Sequence, residues 1–280
     1  MKILFDQITE YKTHLINEEK AAATIEKYIR DIIAFYKWLS DRELTKELAP
    51  CYKTELMKKY TPASINSILA SLNGFFAYNN WHKLKIKNLK IQRKIFCQSE
   101  KELTKSEYER LLQAAKNKKN EKLYLIMQTI CATGIRVSEL CYISAETVNQ
   151  GYAEVKLKGK IRMIFLNKDL YRILKRYMNK QGITTGSVFV TRNGKPIDRH
   201  TIWKCMKSLC NDAGVSKHKV FPHNLRHLFA RTYYSLEKDI VRLADILGHS
   251  SINTTRIYTV ETGITHRMQM NRMGLVHMRT

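Results

Sequence analysis

The sequence predicts a mainly α-helical chain with a small β-sheet: an α+β second part, preceded by a small all-α helical bundle. Three observations lead there. Apolar residues recur at intervals of three and four through most of the 280 residues, the spacing of one buried helix face. Residues 151–166 alternate instead, as two short strands do. Between the two parts, residues 83–101 interleave lysines and arginines with single apolar residues, the composition of a connector.

In the first part, Leu4, Phe5, Ile8, Tyr11 and Leu15 mark one helix face. Ile25, Tyr28, Ile29, Ile32, Ile33, Tyr36 and Leu39 mark a second, with Lys27, Arg30, Asp31 and Lys37 on other faces. A third helix is expected after Thr61-Pro62, where the hydroxyl caps and the proline suits the first turn. It carries Ile65, Ile68, Leu69 and Leu72 into Phe75, Phe76 and Trp81. These readings place a helical domain over 1–90, a basic linker over 91–102 and a larger domain over 103–280.

The larger domain opens with Thr104 and, three residues on, Glu107, a capping-box signature. An apolar helix follows from Leu123 to about Cys131. Thr133-Gly134 breaks it, and a new helix starts near Val137 with Arg136 at its mouth. The alternation gives a hairpin turning at Lys158-Gly159-Lys160, with Ala153, Val155 and Leu157 on one face and Ile161, Met163 and Phe165 on the return. Beyond it the pattern predicts a helix over 169–181, a short strand Val188-Phe189-Val190 with an Asn193-Gly194 turn, and a helix over 201–213. Pro222 opens a helix that puts His223 and Arg226 on one face. Another helix, 240–247, stops at Gly248. Ser250 and Ser251 can cap the next, which carries Tyr258.

The formal net charge is +24. Such a chain repels itself unless a polyanion is near, so nucleic acid or an acidic membrane surface is the expected partner. Most of the excess falls in residues 101–280, which should supply most of the grip on phosphates. The sequence has no run of about 18 apolar residues, so no transmembrane helix is expected. The opening residues are too short an apolar run for a signal peptide. The six cysteines form no C-x-x-C pair and no zinc-ligand spacing, and read as core residues in a reducing cytoplasm.

Fifteen tyrosines make any one of them unremarkable, and His-x-x-Arg alone is common. The ordered set Arg136, Lys158, His223, Arg226, His249, Tyr258 is different. It lies in Ala132–Leu140, Pro222–Phe229, Leu247–Ser250 and Thr254–Thr259. With the helical segment holding Thr24, Tyr28, Phe35, Trp38 and Leu39, it resembles the tyrosine recombinase/integrase family. The likeness covers nearly the whole chain and fits that family's compact two-domain members, Xer-like resolvases and mobile-element integrases. These have no arm-binding domain before the bundle.

The resemblance implies roles. Tyr258 attacks the scissile phosphate and leaves a 3′-phosphotyrosine and a free 5′-hydroxyl. Arg136 and Arg226 hold the non-bridging oxygens. His223 assists proton transfer at the tyrosine, His249 hydrogen-bonds the phosphate, and Lys158 protonates the leaving 5′-oxygen. Glu139 supports the arginine. Relatives often carry an extra residue between the hairpin lysines, so Lys160 is the alternative to Lys158. The scheme requires no metal and no cofactor.

The implied function is DNA integration, excision or dimer resolution on duplex DNA with paired sites. A tetramer assembles there, with residues 262–280 docking on a neighbouring protomer. A second recombinase or an accessory DNA-bending protein is left open. The alternatives are a topoisomerase-like enzyme that nicks and reseals one strand, and a non-catalytic DNA-binding regulator with the same fold.

Overall fold

The structure is a computed structural model that describes residues 3–40, 42–91, 99–157, 160–258, 268 and 270–273. It divides into two compact units, Met1–Arg93 and Lys94–Thr280. The expected docking tail, residues 262–280, lies almost wholly outside the described residues.

Among its described residues the first unit has four α-helices: α1 (Phe5–Asn17), α2 (Ala22–Leu39), α3 (Leu48–Met57) and α4 (Pro62–Tyr78). The two longest, α2 and α4, pack face to face, with α1 and α3 against them. Ile32, Phe35, Leu69, Leu72, Phe75 and Phe76 are completely buried between them. Thr61 caps α4 as expected, accepting from the Ser64 N–H. Leu4 and Phe5 fall off the buried face of α1: both are exposed, and only Ile8, Tyr11 and Leu15 enter the core.

Two expectations need correction. The helix at Pro62 is the fourth, because α3 precedes it. Its stripe is only Ala49, Tyr52 and Leu56, and Pro50 argues against a helix unless it sits in the first turn, where it does. The basic stretch is not a free connector throughout. Asn73 and Asn66, seven apart and so on one face of α4, each bracket a backbone amide with donor and acceptor. Asn73 holds Ile86 (N–H to Oδ1 2.8 Å, Nδ2 to carbonyl 2.9 Å) and Asn66 holds Leu89 (2.8 and 2.9 Å). Residues 85–90 are thus strapped along α4, and Ile86 is buried.

The second unit comprises α5 (Lys105–Asn117), α6 (Glu121–Thr133), a 3₁₀ segment Val137–Tyr142, α7 (Ala145–Gln150), strands β1 (Tyr152–Leu157) and β2 (Lys160–Phe165), α8 (Lys168–Gln181), α9 (Arg199–Lys207), α10 (Cys210–Ala213), α11 (Pro222–Glu237), α12 (Ile240–Leu247), α13 (Ile252–Thr255) and a 3₁₀ turn Arg256–Tyr258. The central element is α6. It is apolar almost all round, as a helix enclosed on several sides must be. Leu123, Leu125, Ile126, Met127 and Ile130 are buried against α5, α8, α9 and α11. The capping box forms as written: the Glu107 N–H donates to Thr104 Oγ1 and the Thr104 N–H to Glu107 Oε2.

The hairpin faces differ from the expectation. Ala153 pairs with Ile164, Val155 with Arg162 and Leu157 with Lys160. The inward side of β2 is therefore Arg162 and Ile164, while Ile161, Met163 and Phe165 point to solvent. A shift of one position exchanges the faces of a strand. The expected strand at Val188–Val190 is reduced to isolated bridges, Ser144 with Ser187 and Val190 with Pro196. The 201–213 helix breaks at Ser208-Leu209 into α9 and α10.

Where α6 passes close to α11, Gly134 ends α6 in a left-handed conformation (φ +64°). A Cβ there would come within 2.4 Å of the Phe229 ring. Gly134→Ala should therefore cost about 2 kcal/mol or more, from backbone strain and overpacking together. Denaturant unfolding of the purified protein measures it; an unchanged midpoint would show that the two helices can part without cost.

Candidate active site

The site is assembled where two glycine-terminated helices meet the start of α11. Gly134 turns the chain out of α6 and presents Arg136. Gly248 ends α12, again left-handed (φ +62°), and presents His249. The 3₁₀ segment that follows Arg136 is capped from within, because the Glu139 carboxylate accepts the Arg136 N–H (2.9 Å). This satisfies the N–H of Arg136 itself, the residue that caps the segment. Arg226 rises from the first turns of α11.

Three guanidinium groups converge. Arg136 pairs with Glu139 (Nη1 to Oε1 2.9 Å) and donates to the Gly248 carbonyl (3.3 Å). Arg226, one of the largest fully buried side chains, donates to the carbonyls of Gly134 and of Leu247 (2.7 Å) and reaches His249 Nε2 (3.1 Å). Arg162, from the inward face of β2, pairs with the second oxygen of Glu139 and donates to the Ile246 carbonyl (2.6 Å). Glu139 is wholly buried. Its burial opposes charge, but the Arg136 N–H and the two guanidiniums outweigh that and hold its carboxyl below the usual range. Burial, then Arg136 and Arg162, push Arg226 down to about 10.

The histidines and the tyrosine surround this cluster. An arginine can only donate, so His249 Nε2 accepts from Arg226, and its proton sits on Nδ1, facing Thr255 Oγ1 at 2.8 Å. Burial and the guanidiniums of Arg226, Arg136 and Arg162 push His249 down to about 4, so it is neutral at pH 7. In this state it has no proton to offer a phosphate from Nε2. His223 is exposed on one side. Loss of water on the other, with His227 and the arginines nearby, lowers its pKa as well. Tyr258 is 4% exposed. Its ring meets His227 nearly edge-on (4.8 Å, 81°) and lies almost parallel to His249 (6.1 Å, 19°). Burial raises its pKa, with Arg226 and Arg136 opposing. Beside the cluster a cleft of about 320 Å³ is lined by Arg136, Ser138, Arg199, Trp203 and His223, among others.

The structure thus brings Arg136, Glu139, His223, Arg226, His249 and Tyr258 together. Lys158 lies outside the described residues, as does the side chain of Lys160. Among the described residues no group of three or more His, Cys, Asp or Glu side chains is placed to hold a metal ion. None of the described helices is long and apolar enough to cross a membrane. Four residues were given no role by sequence reasoning. Arg162 was hidden by the hairpin register. Thr255 lay inside a quoted motif. His227 is four residues from His223 and so shares its face. Glu102, which pairs with His227 (3.6 Å) and Arg231 (3.0 Å), carries no sequence signal.

Residues 101–263 match the family model for the phage integrase family, and residues 8–83 the model for the phage integrase N-terminal SAM-like domain. Among relatives, tyrosine recombinase XerA of Pyrococcus furiosus is 29% identical over 96% of this chain and 94% of its own length. Tyrosine recombinase XerD of Proteus mirabilis is 30% identical over 85% and 83%. Among solved structures, a lambda integrase tetramer bound to a Holliday junction superposes with a TM-score of 0.73 at 20% identity, covering 90% of this chain and 76% of that one. At that identity the likeness speaks for the fold.

His249 gives the site a pH signature. Its folded pKa lies below the ordinary value near 6.5, so the unfolded chain binds the proton more readily. Its contribution to stability is present above about pH 6.5 and is lost as pH falls toward about 4. His249→Gln should flatten that part of the profile by on the order of 2 kcal/mol. Thermal melts in steps from pH 7.5 to 4 measure it; parallel profiles for variant and parent would refute the neutral buried imidazole.

Proposed function

This chain belongs to the phage integrase family, and on that premise we propose that it is a site-specific recombinase that cuts and rejoins DNA through Tyr258. The observation that carries the reading is a charge imbalance beside a buried tyrosine. Three guanidiniums converge beside one carboxylate, Glu139, which pairs with two of them, Arg136 and Arg162, while Arg226 has only carbonyls and a histidine for partners. A scissile phosphodiester supplies one negative charge in the ground state, and its equatorial oxygens take on a second as the fifth bond forms. Donors fixed in advance favour that transition state over the bound substrate.

Arg136 and Arg226 grip the two non-bridging oxygens. Tyr258 Oη loses its proton as it bonds to phosphorus, and neutral His223 is the acceptor. The P–O5′ bond breaks, and Lys158 protonates the departing oxygen. His249 binds the phosphate only after its link to Arg226 is rearranged or its ring is protonated. The phosphotyrosine keeps the energy of the broken diester, so a 5′-hydroxyl from a partner strand reverses the attack without ATP. Residues 1–90 serve as the core-binding domain and 103–280 as the catalytic domain, joined by the basic linker 91–102. The enzyme works in the cytoplasm as a tetramer on paired duplex sites, with its tail on a neighbouring protomer.

A nicked suicide duplex bearing a site from the chain's own genomic locus tests the reading. Wild type should form an adduct that survives denaturant; Tyr258→Phe should bind equally and form none. Arg226→Lys, which cannot span two carbonyls with one ammonium head, should slow adduct formation about 100-fold or more. Binding without any adduct on that locus would point to a DNA-binding regulator. Relaxation of supercoiled plasmid without paired sites would point to a nicking-resealing enzyme.

A further inference from the structure

We infer that Arg162 is a positioning residue for the reaction proposed above: by joining β2, Glu139 and the last turn of α12, it sets the spacing between Arg136 and Arg226. The inference rests on that functional reading. It comes from what one buried side chain touches. Arg162 leaves the inner face of β2 opposite Val155. Its side chain is only 10% exposed. One end of the guanidinium binds Glu139 and the other donates to the Ile246 carbonyl. Its Cδ runs beneath Gly248, where an added Cβ would stand 2.6 Å away.

Each of these partners in turn holds an arginine assigned to the phosphate. Glu139 fixes Arg136 through both its backbone N–H and its Nη1. The turn after Ile246 supplies the Leu247 carbonyl to Arg226 and the Gly248 carbonyl to Arg136. Arg162, like Arg136, therefore joins the carboxylate to the end of α12, but it does so from β2, through the second oxygen of Glu139 and the Ile246 carbonyl. Its charge also bears on the rest: it lowers the pKa of Arg226 and His249 and helps keep Glu139 ionised. A neutral replacement leaves Glu139 with one partner and the Ile246 carbonyl with none. Arg136 and Arg226 then lose their fixed separation. A displacement of about 1 Å in groups that must meet a phosphate costs on the order of 100-fold in rate.

Arg162→Met and Arg162→Lys test this on the same nicked duplex, with binding and adduct formation measured separately. Both variants should bind DNA within a few-fold of wild type and form the adduct about 100-fold more slowly. Lysine keeps the charge but cannot span Glu139 and Ile246 with one ammonium head, and it serves if the methionine variant fails to fold. A second substrate separates positioning from general damage. With a methylphosphonate at the scissile position, the group between the arginines is neutral, so their spacing matters less. The gap between wild type and variant should shrink to under about ten-fold there. An equal gap on both substrates, a variant as fast as wild type, or a loss of binding that matches the loss of rate would each overturn the assignment. Failure of wild type itself to form any adduct would instead bring down the functional reading on which it rests.

Discussion

The last three carbonyls at the end of α12, those of Ile246, Leu247 and Gly248, each accept a hydrogen bond from a different arginine: Arg162, Arg226 and Arg136. A helix C-terminus leaves such carbonyls without intrahelical partners and carries the negative end of the helix dipole. Here the orphan acceptors and the partial charge are both answered by guanidinium groups. The reverse also holds. Three cations this close repel one another, and burying them is costly unless their donors are matched. One carboxylate and one helix end supply most of the matching. What is left over is positive charge with a direction, aimed at the cleft beside Arg136 and His223.

That arrangement explains why the backbone is as it is. The left-handed glycines at 134 and 248 do more than end helices. The carbonyl of Gly134 receives Arg226, and the open face of Gly248 leaves room for the Arg162 side chain. Any side chain at 248 would meet a strained backbone and an occupied space together. Among the described residues the inner face of the hairpin is Ala153, Val155 and Ile164 with one charged side chain, Arg162. It tolerates this because both ends of the guanidinium are bonded.

Much of this was legible from local chemistry. The caps at Thr61, Thr104 and Ser251, the glycine stops and the periodic faces of α2, α4 and α5 are written in adjacent residues. Hence the mainly helical architecture could be read, whereas the conjunction of Arg136, His223, Arg226, His249 and Tyr258 came from the resemblance of their motifs to one family and not from local chemistry. What escaped were long-range facts. The register that turns Arg162 inward depends on where the turn falls, and alternation alone does not say which alternate is buried. The Asn66 and Asn73 brackets join residues that no periodicity links. α3 carries too short an apolar stripe to stand out beside a proline. The state of His249 follows from Arg226 and Thr255 arriving at its two nitrogens, an encounter between three segments.

The burial of Tyr258 then constrains the order of events in the proposed reaction. In the free chain two influences compete at the phenol: removal from water raises its pKa, and Arg226 with Arg136 lower it. Burial wins, so the tyrosine is protonated at pH 7. A phosphate entering between the arginines brings negative charge of its own and screens theirs, which disfavours a free phenolate further. Tyr258 therefore does not ionise first and attack afterwards. Its proton must leave while the bond to phosphorus forms, because only then is the developing charge shared with oxygens that the arginines hold. A neutral acceptor is required at that moment. The pKa of His223 is lowered by burial first, then by His227 and by Arg226 and Arg136, which keeps it neutral and able to accept. The arginines proposed to bind the substrate thus also contribute, after burial, to keeping the base neutral, so a change in their spacing bears on both.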